Sequence, residues 1–168
     1  MQRRILFSFL LFFTALAAFS YAAFAKGKQK APEQEQLLIV INAKLGIFTL
    51  KRDSKTEGTL TLMDVAKSVS YFTEMPTQRG GSTPLSLFLK KWAEEKKEDT
   101  TASIIFTIPS AGKHLNMDLS ISAPKYDAVH GLLSFHVKFP KKEHSIPLEA
   151  FKEPVLYIDD GSLYNRLN

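Results

Sequence analysis

Apolar and polar residues alternate with a period of two along most of this chain, and one segment breaks the alternation. LLIVI at 37–41 is a continuous apolar run, the texture of a strand covered on both faces, and Leu45–Leu50 follows it as a second strand after Asn42–Lys44. RDSKTEG supplies a polar turn. GTLTLMDV and SVSYFTE then read as two more strands, with Leu60 and Leu62 sharing one face and Val69, Tyr71 and Thr73 sharing one face of the next. Further on, Ile104, Phe106 and Ile108 alternate within TASIIFTIP. Leu115, Met117, Leu119 and Ile121 point inward in KHLNMDLSIS, and Leu133, Phe135, Val137 and Phe139 do so in LLSFHVKFP. Pro109-Ser110-Ala111-Gly112 predicts a hairpin turn between the first two of these. PVLYI at 154–158 is expected as an edge strand, since Pro154 at its start donates no N–H, and as a place where a partner's strand could be added.

The break comes at STPLSLFLKKWAEEKKED. Leu85, Phe88, Leu89 and Trp92 are spaced i, i+3, i+4 and i+7, the stripe of an amphipathic helix. Thr83 as N-cap and Pro84 in the first turn predict a helix from about Pro84 to Lys97 that presses Phe88 and Trp92 onto a sheet. Many short strands and one helix predict a mainly β fold: an antiparallel β-sandwich with one inserted amphipathic helix, an open barrel being the alternative.

The N-terminus changes which part of the chain is expected to work. Arg3 and Arg4, the apolar run Ile5–Phe19 and Ala23-Phe24-Ala25 form the n-region, h-region and small-x-small site of a secretory leader over residues 1–25. The alternative is an uncleaved anchor holding the protein at the inner membrane, because the run approaches the ~20 residues of a spanning helix. KGKQKAPEQEQ at 26–36 buries nothing and reads as a flexible lead-in. A single β-rich domain is expected over 37–160, with a tail at 161–168. The predicted product is periplasmic or secreted, and after cleavage no apolar stretch is left that is long enough to span a bilayer.

The chain has no cysteine, which removes disulfides, thiol catalysis, cysteine-based metal sites and the lipid attachment of a bacterial lipoprotein. Its net charge of +5 falls by two when Arg3 and Arg4 leave with the leader. The remaining excess is spread along the chain, so the electrostatic footprint of nucleic-acid binding is missing.

YFTEMPTQRGG at 71–81 concentrates an acid, a proline, an arginine and two glycines between a strand and the helix. Pro76, Gly80 and Gly81 suit a corner, the glycines through positive φ, and Glu74 pairing with Arg79 would pin it. The functional reading of the same residues is an anion site: Arg79, Gly80 and Gly81 at the helix N-terminus, with Glu74 alongside, cradling a phosphate or carboxylate. Phe72, Thr73, Glu74, Pro76, Arg79 and Gly81, with Phe88, Trp92, Pro124 and Tyr126 of APKYD, resemble the pattern of a group of small exported bacterial proteins without assigned activity. Met75 replaces that pattern's first arginine and Glu74 its more usual aspartate. The resemblance, covering about 69–138, implies export and a mainly β domain.

The chain contains no G-x-S-x-G, H-E-x-x-H or Walker sequence. His114, Asp118 and His136 fall on outward faces and would suit zinc or copper if strand pairing joined them, but outward polar residues are expected on any such strand, and no metal or other cofactor is predicted. Asp159-Asp160-Gly161 lacks the alternating acids of a calcium loop and reads as a turn. Two classes of function follow. One is a non-catalytic binding or interaction module of the bacterial cell envelope, with an envelope protein or anionic ligand as partner. The other is a small secreted hydrolase acting on an anionic or envelope substrate.

Overall fold

The computed structural model describes residues 37–73, 79–95, 99–140 and 146–159. The strands are β1 (Leu37–Asn42), β2 (Leu45–Leu50), β3 (Glu57–Met63), β4 (Ser68–Thr73) and β5 (Gly80–Pro84); α1 (Leu85–Glu95) follows, then β6 (Thr100–Ile108), β7 (Lys113–Asp127), β8 (Leu132–Lys138) and β9 (Phe151–Asp159). Among the described residues the fold is mainly antiparallel β with a single short helix, as the alternation predicts. All the strands belong to one nine-stranded sheet in the order β2-β3-β8-β7-β6-β9-β1-β4-β5. The sheet also turns back on itself: β2 pairs with β9 through Leu45↔Lys152 and Gly46↔Phe151. Six strands therefore form a closed ring of pairings, from which β1, β4 and β5 continue outward.

The closure is made by a corner. β1 and β2 are joined through Ala43 and Lys44, and together they run antiparallel along the whole of β9, β1 against Val155–Asp159 and β2 against Phe151–Lys152. At the corner the Ala43 N–H donates to the Pro154 carbonyl and the Glu153 N–H to the Lys44 carbonyl, so the backbone groups at the bend remain satisfied. Opposite them the β6–β9 register shifts between Ile105 and Thr107, and Glu153 adopts a φ of 51°, marking a bulge that bends β9.

This arrangement corrects the reading of Pro154–Ile158 as an edge. β9 lies between β6 and β1, hydrogen-bonded on both sides, and offers no free ladder to a partner strand. Pro154 is tolerated because it sits at the bulge. LLIVI is corrected too: Leu37, Ile39 and Ile41 are buried, whereas Leu38 and Val40 stay half-buried on the outer face.

The inward residues make one core that contains two groups of aromatic rings. Phe151 lies 4.3 Å from Phe106 and 5.1 Å from Phe48, ring centre to ring centre. In the second group α1 delivers Phe88 and Trp92, which meet edge to face at 5.5 Å, and Trp92 approaches Phe135 of β8 at 6.0 Å. Leu85, Phe88 and Trp92 are the buried residues of the helix, three members of the predicted stripe. Each full burial of this kind is worth about 1.5–3 kcal/mol, which holds a helix lacking acids in its first turn and bases in its last. Leu115 shares the inward parity of β7 yet is 36% exposed, because β8 begins pairing with β7 only at Ser120. The hairpin at 109–112 forms as predicted, with Gly112 at a φ of 61° donating its N–H to the Ile108 carbonyl. Among the described residues no helix is long and apolar enough to cross a membrane.

Candidate functional site

The predicted strand-to-helix corner contains an additional strand. Residues 80–84 pair with β4 as the short strand β5, and α1 starts only at Leu85, whose N–H donates to the Lys67 carbonyl. Thr73 and Arg79 close the loop between the two strands. The Thr73 N–H donates to the Arg79 carbonyl at 2.8 Å, and the Arg79 N–H donates to Thr73 Oγ1 at 2.9 Å. Glu74, Met75, Pro76, Thr77 and Gln78 lie outside the described residues, so the Glu74–Arg79 pairing does too.

Gly80 and Gly81 are extended, and neither has the positive φ expected of a corner. What they provide is the absence of a side chain. Gly81 faces Tyr71 across the ladder, where a Cβ would stand 2.5 Å from the Tyr71 hydroxyl oxygen, and Gly80 faces Phe72. In a strand successive N–H groups point to opposite sides. The Thr73–Arg79 and Lys67–Leu85 bonds set the parity: Gly81 turns its N–H toward β4 and Gly80 turns its own away. Arg79, Gly80 and Gly81 are thus strung along a strand at the margin of the sheet, four residues and more ahead of the helix.

The histidines and acids of the outer face are dispersed by the register. His114 lies opposite Thr107 and its Nδ1 is 2.9 Å from Thr107 Oγ1; Asp118 lies opposite Ser103 and accepts that hydroxyl's hydrogen bond. His136 lies opposite Ser122, eight residues along β7 from His114, or about 26 Å at ~3.3 Å per residue. No group of three metal-ligating side chains occurs among the described residues. Asp160 and Gly161 lie outside them, as does His144.

A pocket that the sequence does not announce forms where β7 bulges. Between Ser122 and Lys125 the β7–β8 register slips, and Ala123 takes a φ of 48° just before Pro124. Beyond the slip, Lys125 lies opposite Ser134 of β8, and Ser134 lies opposite Thr61 of β3. These three side chains form one row on the outer face, and Asp127 and Leu132 form the next. With Tyr126 they line a cavity of about 310 Å³, at the small end of the range for ligand sites.

Charges around the pocket are unequally committed. Asp127 Oδ1 accepts the N–H groups of Val129 and His130 at 3.0 and 3.1 Å, and Oδ2 lies 2.6 Å from His130 Nδ1. Those bonds, the side-chain contact with His130 first, hold the Asp127 carboxyl below its ordinary range. Lys125 has no such partner: among the described residues no carboxylate reaches its ammonium. One base of the motif APKYD is thereby left facing two hydroxyls and a leucine. The only sequence signal for this was Pro124, which implies a local irregularity but not which strands surround it.

A second polar group, beside this row, is committed to itself. Lys138 Nζ donates to Asp99 Oδ2 at 2.8 Å, and Ser122 also donates to that carboxylate.

Comparison of the chain with protein-family models, curated proteins and solved structures yields no match.

Proposed function

We propose that this protein is an exported, non-catalytic binding module of the bacterial cell envelope, and that its ligand surface is the pocket at the β7 bulge. One observation carries the reading: the pocket presents an unspent cation, Lys125, beside the Ser134 and Thr61 hydroxyls, whereas the neighbouring acid is occupied by its own turn. A nucleophile needs a base within hydrogen-bond reach to be activated. Asp127, the acid that lines the pocket, is bound to its own turn through the Val129 and His130 N–H groups and the His130 ring, which suits recognition better than activation of the Ser134 or Thr61 hydroxyl. The leader-like sequence of residues 1–25 and the polar stretch after it support export.

Native mass spectrometry of the protein recovered separately from envelope, medium and cytosol tests this. The expected spectrum is a chain beginning at Lys26, outside the cytosol, carrying a non-covalent small ligand. A chain retaining Met1 in the cytosol overturns export, and hydrolysis of an envelope substrate that survives purification to homogeneity overturns the non-catalytic assignment.

A further inference from the structure

The geometry points to a small carboxylate with an apolar tail as the ligand class of the β7-bulge pocket, an inference that rests on the binding-module reading above. Lys125, Ser134 and Thr61 stand on neighbouring strands in one register row, and directly opposed side chains in such a row are about 4.5–5.5 Å apart at Cβ. A single anionic group placed between them meets one ammonium and two hydroxyl donors. Lysine acts as a point charge and does not impose the planar fork of arginine. Leu132, in the adjacent row, gives the cavity an apolar wall against which a short hydrocarbon chain can lie.

The acid at the rim limits how much negative charge the pocket accepts. Asp127 follows Lys125 by two residues on the same face, about 7 Å along the strand. Its bonds to Val129, His130 N–H and the His130 ring hold it in place as a carboxylate. A carboxylate ligand brings one charge against it, and a phosphate monoester brings nearly two at neutral pH. The monoanion is therefore favoured. The pocket is open to solvent, and its volume of about 310 Å³ matches a small molecule or the end of a longer one.

Hexanoate, acetate and phenyl phosphate are the probes, titrated into ¹⁵N-labelled protein and followed by the amide signals of Thr61, Leu132 and Ser134. Hexanoate is expected to shift all three saturably, at least tenfold more tightly than phenyl phosphate and several-fold more tightly than acetate. Lys125→Met, at an exposed position where folding is retained, is expected to weaken hexanoate at least tenfold, with partial rescue by Lys125→Arg. An unchanged affinity in Lys125→Met, tighter binding of phenyl phosphate, or no saturable shift at these amides overturns the proposal. If the native spectrum still shows a bound ligand in that last case, the binding module stands and the ligand class falls.

Discussion

Gly46 of β2 and Phe151 of β9 face each other across the pairing that closes the ring, and the Phe151 ring occupies the space that a side chain on Gly46 would need. The same ring packs on Phe48 and Phe106, so it has nowhere to retreat. Gly46→Ala is expected to destabilise the fold by about 1–3 kcal/mol through overpacking. Phe151→Ala, which empties the site, is expected to cost about 3–5 kcal/mol. Urea unfolding followed by Trp92 fluorescence measures both.

Gly81 and Tyr71 repeat the motif in a setting that yields. Tyr71 is only half-buried, and the atom a Cβ would meet first is its hydroxyl oxygen, the far end of the side chain. Gly81→Ala is accordingly expected to cost less than about 1 kcal/mol, within the range of surface substitutions and small rearrangements. A loss as large as that of Gly46→Ala in the same urea experiment would mean that the β4–β5 hairpin is rigidly held.

Thr100 buries its hydroxyl oxygen without a hydrogen-bond partner at the start of β6. Valine has nearly the same shape and brings no polar group. Because an unsatisfied buried hydroxyl costs about 1–3 kcal/mol, Thr100→Val is expected to stabilise the protein by ~1 kcal/mol. A higher urea midpoint with unchanged slope is the expected result, and a lower midpoint would show that the hydroxyl is bonded in solution.

Asp99 and Asp127 predict where acid acts. Both carboxyls are held below 3.8, Asp99 chiefly by the Lys138 hydrogen bond and Asp127 chiefly by His130. A carboxyl whose folded pKa is depressed adds stability that is fully present above its unfolded pKa and is lost as pH falls through the folded value. The contribution of these groups should thus persist from pH 7 to about 4 and fade below ~4. Lys138→Met should remove the part belonging to Asp99, by no more than about 1 kcal/mol at this exposed pair. Urea midpoints of the two proteins measured from pH 7 down to pH 3 are expected to converge at the acid end. A constant difference across that range would assign the effect of Lys138 to packing.

The positions of the strands other than β5, the inward residues of β3, β6 and β8 and the helical stripe Leu85, Phe88 and Trp92 were legible in the chain, because periods of 2 and 3.6 are local properties of the backbone. β5 escaped notice since GGSTP carries no alternation; its place comes from Tyr71 and Phe72 lying over glycines that have no side chain. Leu115 shows the limit of periodicity from the other direction: parity names its face but not whether a neighbouring strand extends far enough to cover it.

By itself the sequence determined that this is a cysteine-free, mainly antiparallel β protein with one amphipathic helix, since composition and periodicity are written residue by residue. Only the tertiary structure decided that β9 is central, that β2 meets it to close the ring, and that Thr61, Ser134 and Lys125 stand in one row. Those outcomes depend on which distant strands pair and in what register. Register is set by hydrogen bonds and side-chain packing between segments tens of residues apart, and a single bulge at Ala123 re-aims the rest of β7.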